Sequence, residues 1–570
     1  MKKIRLKEKT NMNFIIVAVA VTILVFAGAC LAVRRYAPSN ERMKLTEFFN
    51  IKNKNEAAVI VNGEYYEAKE DAYALMESGK SYVSCDFIKN NLDDGYVYDS
   101  TEKILRYTTD KNVISVNAGE NSYTVDKETK TFNGVPLMDI SGKAYLSLDW
   151  VKNFTDISYK TEKNPNRVVI EKAGWKKKVA TVKSDTEIRR HGGVKSKILS
   201  DIKKGQKVII LEDYTKWSKV LTDDGVIGCI EDRRITESDL VKTKSTVEKR
   251  VYKHKKMDGK VEMTWHQVTN VSANSSIDSV LSKTGAINVI SPTWFYINDN
   301  QGNIANRSSL DYVTKCHAKG IKVWGLLSNL ENKDVDTTAV LNTTSARDNL
   351  INQTVAAAIA LNIDGINVDL EAISGEAKSG YLEFIKELSL KCKNNDLFLS
   401  VDNYVPSEYT SFYGRRTQAD YADYVIVMAY DEHFGGSKEA GSVSSFNFVK
   451  KGIKETLKEV PADQLILGLP FYTRLWCTEG ENVTSKALGM EDARKNLEDN
   501  GAEIKWNDEF GQNYGEYEAD GKLYQCWLED AESLGNKLQL VKDNSLAGAS
   551  FWKVGFETSE IWSTVEKYLK

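Results

Sequence analysis

Hydrophobic and polar positions change rhythm several times along the chain. Phe14 to Val33 is twenty residues without a charge, and at 1.5 Å rise per residue such a helix spans about 30 Å of hydrocarbon. It predicts a transmembrane anchor at 14–33, rivalled by a cleaved signal peptide. Lys2, Lys3, Arg5, Lys7 and Lys9 precede it, and Arg34 and Arg35 follow it. The basic flank keeps the tail 1–13 in the cytoplasm and puts the rest of the chain outside, facing the cell wall. Residues 34–55 are polar without a sustained period and predict a stalk. From 56 to 236 short alternating runs predict strands. From 258 to 570 aliphatic strands alternate with helical segments.

Within the first β region a segment is used twice. Ser78-Gly79-Lys80-Ser81-Tyr82-Val83-Ser84 returns as Ser141-Gly142-Lys143-Ala144-Tyr145-Leu146-Ser147, each copy reading as a turn, a short strand and a short helix. This duplicated stretch, 56–173, resembles the copper amine oxidase N-terminal-like domain. It contains no histidine, so the resemblance implies no copper. Residues 177–236 carry Ile198-Leu199, Gly205, Val208, Trp217, Val220, Gly225 and Gly228, an order similar to a bacterial SH3-like β-barrel. That resemblance implies a wall-binding module or a passive one. A charged linker, 237–257, follows.

The C-terminal part offers eight strand candidates: 259–265, 286–294, 321–328, 363–371, 396–403, 424–430, 464–471 and 546–553. Helical patterns such as Thr344 to Leu361 and Glu376 to Lys393 lie between them. Eight such units predict a (β/α)8 TIM barrel, with its site at the C-terminal ends of the strands. The stretch 477–535 is too long for a connection and predicts an α+β insertion walling a groove. The fold class is therefore multidomain: an N-terminal transmembrane helix, a duplicated β-rich domain, a small SH3-like barrel and a C-terminal TIM barrel with its insertion.

Composition narrows the chemistry. With Lys+Arg 77 against Asp+Glu 80, the net charge is -3, which supplies no basic field for nucleic acid. Seven cysteines and five histidines are scattered without metal-ligand spacing, so neither a disulfide framework nor a metal site is expected, and no cofactor. The informative segment is Asp364-Gly-Ile-Asn-Val-Asp-Leu-Glu371. Alternation points Asn367, Asp369 and Glu371 to one face and Ile366, Val368 and Leu370 to the other. Burying an unpaired carboxylate costs several kcal/mol, roughly, so acids in so apolar a strand point to chemistry. Asp364 is off that register and reads as a structural acid.

Four motifs in order resemble glycoside hydrolase family 18, the chitinase and N-acetylglucosaminidase family, over 258–570. They are the fourth-strand motif, Met428-Ala429-Tyr430-Asp431, Gly468 to Trp476, and Phe551-Trp552. Two positions depart from the family pattern: Asn367 stands for its second aspartate and Thr473 for its usual glycine. The asparagine also occurs in the branch that resembles spore-cortex-lytic N-acetylglucosaminidases. The resemblance implies that Glu371 is the general acid and that the substrate's acetamido oxygen is the nucleophile. Asp369 would orient the acetamido N–H, and Tyr430 would donate to its carbonyl. Trp552 forms the floor under the sugar, and Asp431 supports the acetamido side. Asn367, Trp294, Tyr472, Arg474 and Trp476 are expected to bind substrate; for Trp294, Tyr404, Tyr472, Arg474 and Trp476 the readings are a subsite wall or core packing. The expected partner is peptidoglycan or another N-acetylglucosamine polymer. Alternatives are a barrel that binds wall glycans without cutting, and an endo-N-acetylglucosaminidase acting on N-glycans.

Overall fold

The computed structural model describes residues 2–570 apart from Lys69, with side chains from Met12 onward. A single helix, Lys2–Tyr36, opens the chain. Its segment Met12–Tyr36 is 25 residues long and contains an 18-residue stretch with a mean hydropathy of 2.9, long and apolar enough to cross a membrane. The rest forms two compact units.

The first unit runs to Tyr96 and includes Ala118–Ser122 and Thr131–Lys249. In its mixed sheet the two copies of the repeated segment lie side by side. Lys80–Ser84 and Lys143–Ser147 pair antiparallel, with Val83 opposite Leu146. Each runs into a short helix, Cys85–Asn91 and Leu148–Val151. A second, seven-stranded sheet spans Lys176–Thr181 to Asp239–Lys242 around a core of Ile188, Val208, Val220 and Ile230.

Two expectations fail here. Residues 34–55 are not a free stalk: Leu45–Phe48 is helical, and Met43 and Phe49 are buried. Their apolar side chains complete cores that these small sheets cannot fill alone. Nor is 237–257 wholly linker, because Asp239–Lys242 adds an edge strand beside Lys176–Val179.

The second unit holds the barrel, together with Val97–Asn117 and Tyr123–Lys130. Its strands are β1 (Val261–His266), β2 (Val289–Pro292), β3 (Lys322–Ser328), β4 (Gly365–Asp369), β5 (Phe398–Tyr404), β6 (Tyr424–Met428), β7 (Leu465–Pro470) and β8 (Gly548–Trp552). Each pairs parallel with the next, and β8 closes onto β1 with Val261 opposite Gly548. Closure needs that glycine, since a Cβ there would collide with the Val261 carbonyl. Aromatic side chains fill the barrel interior: Trp324 lies 5.4 Å from Phe398 and 5.8 Å from Tyr424. Outward-facing Ile366 and Val368 are fully buried under the surrounding helices.

The insertion is an antiparallel five-stranded sheet with one helix, from Tyr472 to Leu528. It therefore starts before 477. Tyr472, Arg474 and Trp476 belong to its first strand, Tyr472–Glu479, rather than to β7.

The segment 56–173 is also not one independent body. Residues 97–117 lie on two barrel helices, α1 (Thr344–Ala360) and α2 (Lys378–Asn394). Asp99 accepts the Thr344 N–H at 2.7 Å, capping the start of α1. Arg106 meets Asp348 at 2.5 Å, Thr108 Oγ1 donates to Glu383 at 2.6 Å, and Tyr421 donates to the Thr108 carbonyl at 3.0 Å. The physical reason lies on the helices: Glu383 is fully buried there, and a buried polar group requires a partner, which Thr108 supplies.

Candidate active site

The site begins with β4. Because its outward residues are buried apolar ones, the alternate residues must face the barrel axis. Asn367 is 0% exposed, and its amide is fully used. Its Oδ1 accepts from Trp265 Nε1 at 2.9 Å and Ser291 Oγ at 3.2 Å. Its Nδ2 donates to Ser400 Oγ at 3.0 Å and Asp402 Oδ1 at 2.8 Å. An amide with four partners and no exposure has nothing left for a substrate, which corrects its expected role as a binding residue.

Glu371 follows β4 at the strand tip and is half-buried. Asn329, just past β3, clamps its backbone from both sides. Glu371 N–H donates to Asn329 Oδ1 at 2.8 Å, and Asn329 Nδ2 donates to the Glu371 carbonyl at 2.9 Å. The Glu371 carboxylate accepts from the Tyr404 hydroxyl at the end of β5. Tyr404 in turn accepts from the Ala372 N–H at 3.2 Å.

Burial raises the Glu371 pKa above the ordinary carboxylate value, the Tyr404 hydrogen bond opposes this, and the negative charge of Asp431 adds to it. Asp369 is pushed well above its usual value by burial, then by Glu371, Asp402 and Glu331. Asp402, which is buried, is likewise pushed well up, by burial first, with Glu371 adding and the Asn367 hydrogen bond opposing. The charged groups acting on Asp369 are all acids. Crowded carboxylates without a cation resist ionising together, so each of these groups gives up its proton less readily than an ordinary carboxylic acid.

Tyr430 lies just past β6 and faces the same wall. Burial and then Asp369, Asp402, Tyr472 and Glu371 drive its pKa far up, so its hydroxyl stays a donor. Tyr472 donates to Asp431 Oδ1 at 2.5 Å and fixes that carboxylate. Trp552 ends β8, half-buried, with its ring 6.0 Å from that of Trp265. Arg474 is half-buried and donates to Ser485 Oγ at 3.1 Å.

Two expected binding residues are core instead. Trp294 is 0% exposed, donates to Asn274 Oδ1 at 2.8 Å and packs edge-on against Tyr312 at 5.0 Å. Trp476 is 1% exposed, and its indole N–H goes to the Gly441 carbonyl at 2.8 Å. Both indoles have apolar surroundings and a satisfied N–H, the usual condition of a buried tryptophan. Asp364 is structural, bound to His317 Nε2 at 2.8 Å, Lys322 at 3.0 Å and the Val323 N–H at 2.9 Å.

Asn329, Asp402 and the hydrogen bond from Tyr404 to Glu371 escaped the sequence reading. For β5 a signal existed: Asp402 and Tyr404 alternate in an apolar strand, as Asp369 and Glu371 do one strand earlier. Asn329 sits in a loop, where no period marks it.

Residues 295–557 match the family model of glycosyl hydrolases family 18, and residues 60–170 match that of the copper amine oxidase N-terminal domain. The uncharacterized glycosylase YvbX of Bacillus subtilis is 26% identical over 311 residues, which is 52% of this chain and 89% of that protein. A cortical fragment-lytic enzyme of Bacillus subtilis is 25% identical over 251 residues, 42% of this chain and 58% of that protein. The crystal structure of a Bacillus cereus spore cortex-lytic enzyme superposes with a TM-score of 0.50 at 16% identity, covering 59% of this chain and 78% of that one, a likeness of fold.

Proposed function

We propose that the barrel, which matches the family model of glycosyl hydrolases family 18 over residues 295–557, is a glycoside hydrolase that cleaves β-1,4 bonds following N-acetylglucosamine in peptidoglycan or a chitin-like polymer. The reaction retains configuration and is assisted by the substrate's own acetamido group. Protonated Glu371 gives its proton to the departing oxygen while the acetamido oxygen attacks the anomeric carbon. Asp369 holds the acetamido N–H as positive charge develops on that group, and Tyr430 donates to its oxygen. Water then opens the cyclic intermediate, with Glu371, now ionised, taking up the water's proton. Trp552 offers a face to the sugar's C–H groups. Asp431, held by Tyr472, lines the acetamido side, and Arg474 stands at the edge of the insertion.

One observation supports this reading: Glu371 is fixed by Asn329 on both sides of its backbone, and burial and the charge of Asp431 raise its pKa, which favours the protonated acid the reaction needs. Relatives named for cortex lysis favour peptidoglycan. The apolar N-terminal helix would hold the enzyme at the membrane, facing the wall. The SH3-like sheet has a groove lined by Arg190, Tyr214, Trp217 and Lys219, suited to wall peptides. Such tethering raises the effective substrate concentration.

The test is to digest sacculi and chito-oligosaccharides with the purified full chain and identify the new reducing sugar by mass spectrometry. Reducing N-acetylglucosamine ends are expected. Binding without turnover on every N-acetylated glycan would overturn the proposal.

A further inference from the structure

Two buried carboxylate oxygens in the site have no hydrogen-bond partner: Asp369 Oδ1 and Asp402 Oδ2. They belong to adjacent strands. Asn367 lies opposite Ser400 and Val368 opposite Val401, so one step further along the parallel register sets Asp369 beside Asp402, on strands about 4.8 Å apart. The other oxygen of Asp402 is already taken by Asn367 Nδ2 at 2.8 Å. That bond turns the carboxyl so that one oxygen remains free. An orphaned buried carboxylate oxygen costs free energy. Two such oxygens on neighbouring residues can be satisfied together by one proton, because a protonated carboxyl donates where an ionised one accepts.

We infer that Asp402 is a positioning residue that shares a single proton with Asp369, with Asn367 acting as the bracket that aims it. The inference rests on the glycosidase reading above. The proton passes from Asp369 to Asp402 without net uptake or release: Asp369–OH beside Asp402–COO⁻ becomes Asp369–COO⁻ beside Asp402–OH. The first state leaves one charge instead of two next to Glu371. The second gives Asp369 the carboxylate that the substrate's acetamido N–H needs as the reaction proceeds.

The other groups facing this pair fit that assignment. They are the acids Glu371 and Glu331 and the phenols Tyr430 and Tyr381, none of which offers a positive charge. Arg415, whose charge acts on the neighbouring Tyr381, is committed elsewhere, to the Tyr404 carbonyl at 3.1 Å and to Thr410.

The experiment compares the parent full chain in detergent with Asp402→Asn, with the exchange Asn367→Asp/Asp402→Asn, and with Glu371→Gln. The readouts are kcat and KM on chito-oligosaccharides across pH and circular dichroism for folding. Asp402→Asn is expected to lower kcat by about tenfold or more, a size usual for lost proton management, with KM nearly unchanged. It should also move the acidic limb of the profile to lower pH, since Asp369 loses a negative neighbour and ionises more easily. The exchange returns a carboxylate to the neighbourhood of Asp369 and should recover part of kcat. A folded Asp402→Asn protein with the parent kcat and acidic limb would overturn the inference. So would a folded exchange variant no better than Asp402→Asn. If Asp402→Asn does not fold, the exchange alone decides, its inactivity overturning the inference and its activity supporting it. Parent-level kcat in Glu371→Gln would instead overturn the role given to Glu371, and a parent chain that hydrolyses no N-acetylated glycan would sink the glycosidase reading itself.

Discussion

On the barrel's flank, Glu383 and Glu387 are buried between α1 and α2, and a cation comes to each. Arg347 Nε meets Glu387 at 2.9 Å, Arg106 approaches its other oxygen at 3.8 Å, and Lys386 lies 3.4 Å from Glu383. At the barrel's mouth, Asp369, Asp402 and Glu371 are crowded together, and the charged groups acting on them are other acids. Both clusters sit in the same fold and are made of the same residue types. The paired one joins the segment 97–117 to the barrel and holds structure. The unpaired one has its carboxyl pKa values raised, the pattern that tends to gather at functional sites. Burial of an acid does not distinguish the two clusters; the presence or absence of a cation does.

Four substitutions test that contrast. Glu371→Gln should lower kcat by about 10² to 10⁴ and leave the fold intact. The raised pKa of Glu371 means that its contribution to folding is present at low pH and declines as pH rises through that value. A neutral glutamine escapes this decline, so the variant should be at least as stable as the parent at pH 8 by thermal unfolding. Loss of the fold instead would move Glu371 into the structural class.

Arg347→Ala should do the reverse. It leaves Glu387 buried with only the longer Arg106 contact, at a cost of about 3–5 kcal/mol. Denaturant midpoints should fall, while kcat per folded molecule stays close to the parent's. Equal damage to kcat in fully folded protein would mean that the two clusters are coupled.

Thr108→Val removes the hydroxyl that donates to Glu383 at 2.6 Å. About 1.5 kcal/mol of stability should be lost, with faster proteolysis of the segment 97–117. Unchanged protease resistance would count against that segment being held to the barrel by this bond.

Tyr404→Phe has the smallest expected effect. It removes the hydrogen bond that favours the ionised form of Glu371, so the Glu371 pKa rises further. The alkaline limb of the pH profile should then move up in pH, with kcat falling only a few-fold, about 1 kcal/mol in barrier. A limb moving down would show that Tyr404 stabilises the protonated form instead.

The main architecture was readable because its signal is local. All eight strand candidates lie within a few residues of β1 to β8, since aliphatic runs bounded by turns carry their own period. The repeated segment also folds as read, as two strands each leading into a short helix. Alternation alone turned Asp369 and Glu371 inward with the apolar residues outward. Trp294 and Trp476 show the limit of such reading: their neighbours in the sequence do not say whether an indole faces a groove or meets Asn274 or the Gly441 carbonyl. Met43 and Phe49 show it again, because a polar stretch with two apolar residues looks like a stalk until a distant core receives them.

What the chain determined by itself is the order of its parts, the apolar N-terminal helix, the barrel and the acid at the tip of its fourth strand, all written in periods of two or 3.6 residues. Only the closed barrel decided which acids meet. Asp402 stands beside Asp369 through strand register, Asn329 reaches Glu371 from the next loop, and the segment 97–117 finds Glu383 across the outside of the barrel. These relations join residues far apart in the chain, and they arise because buried polar groups must find partners wherever the folded chain brings them.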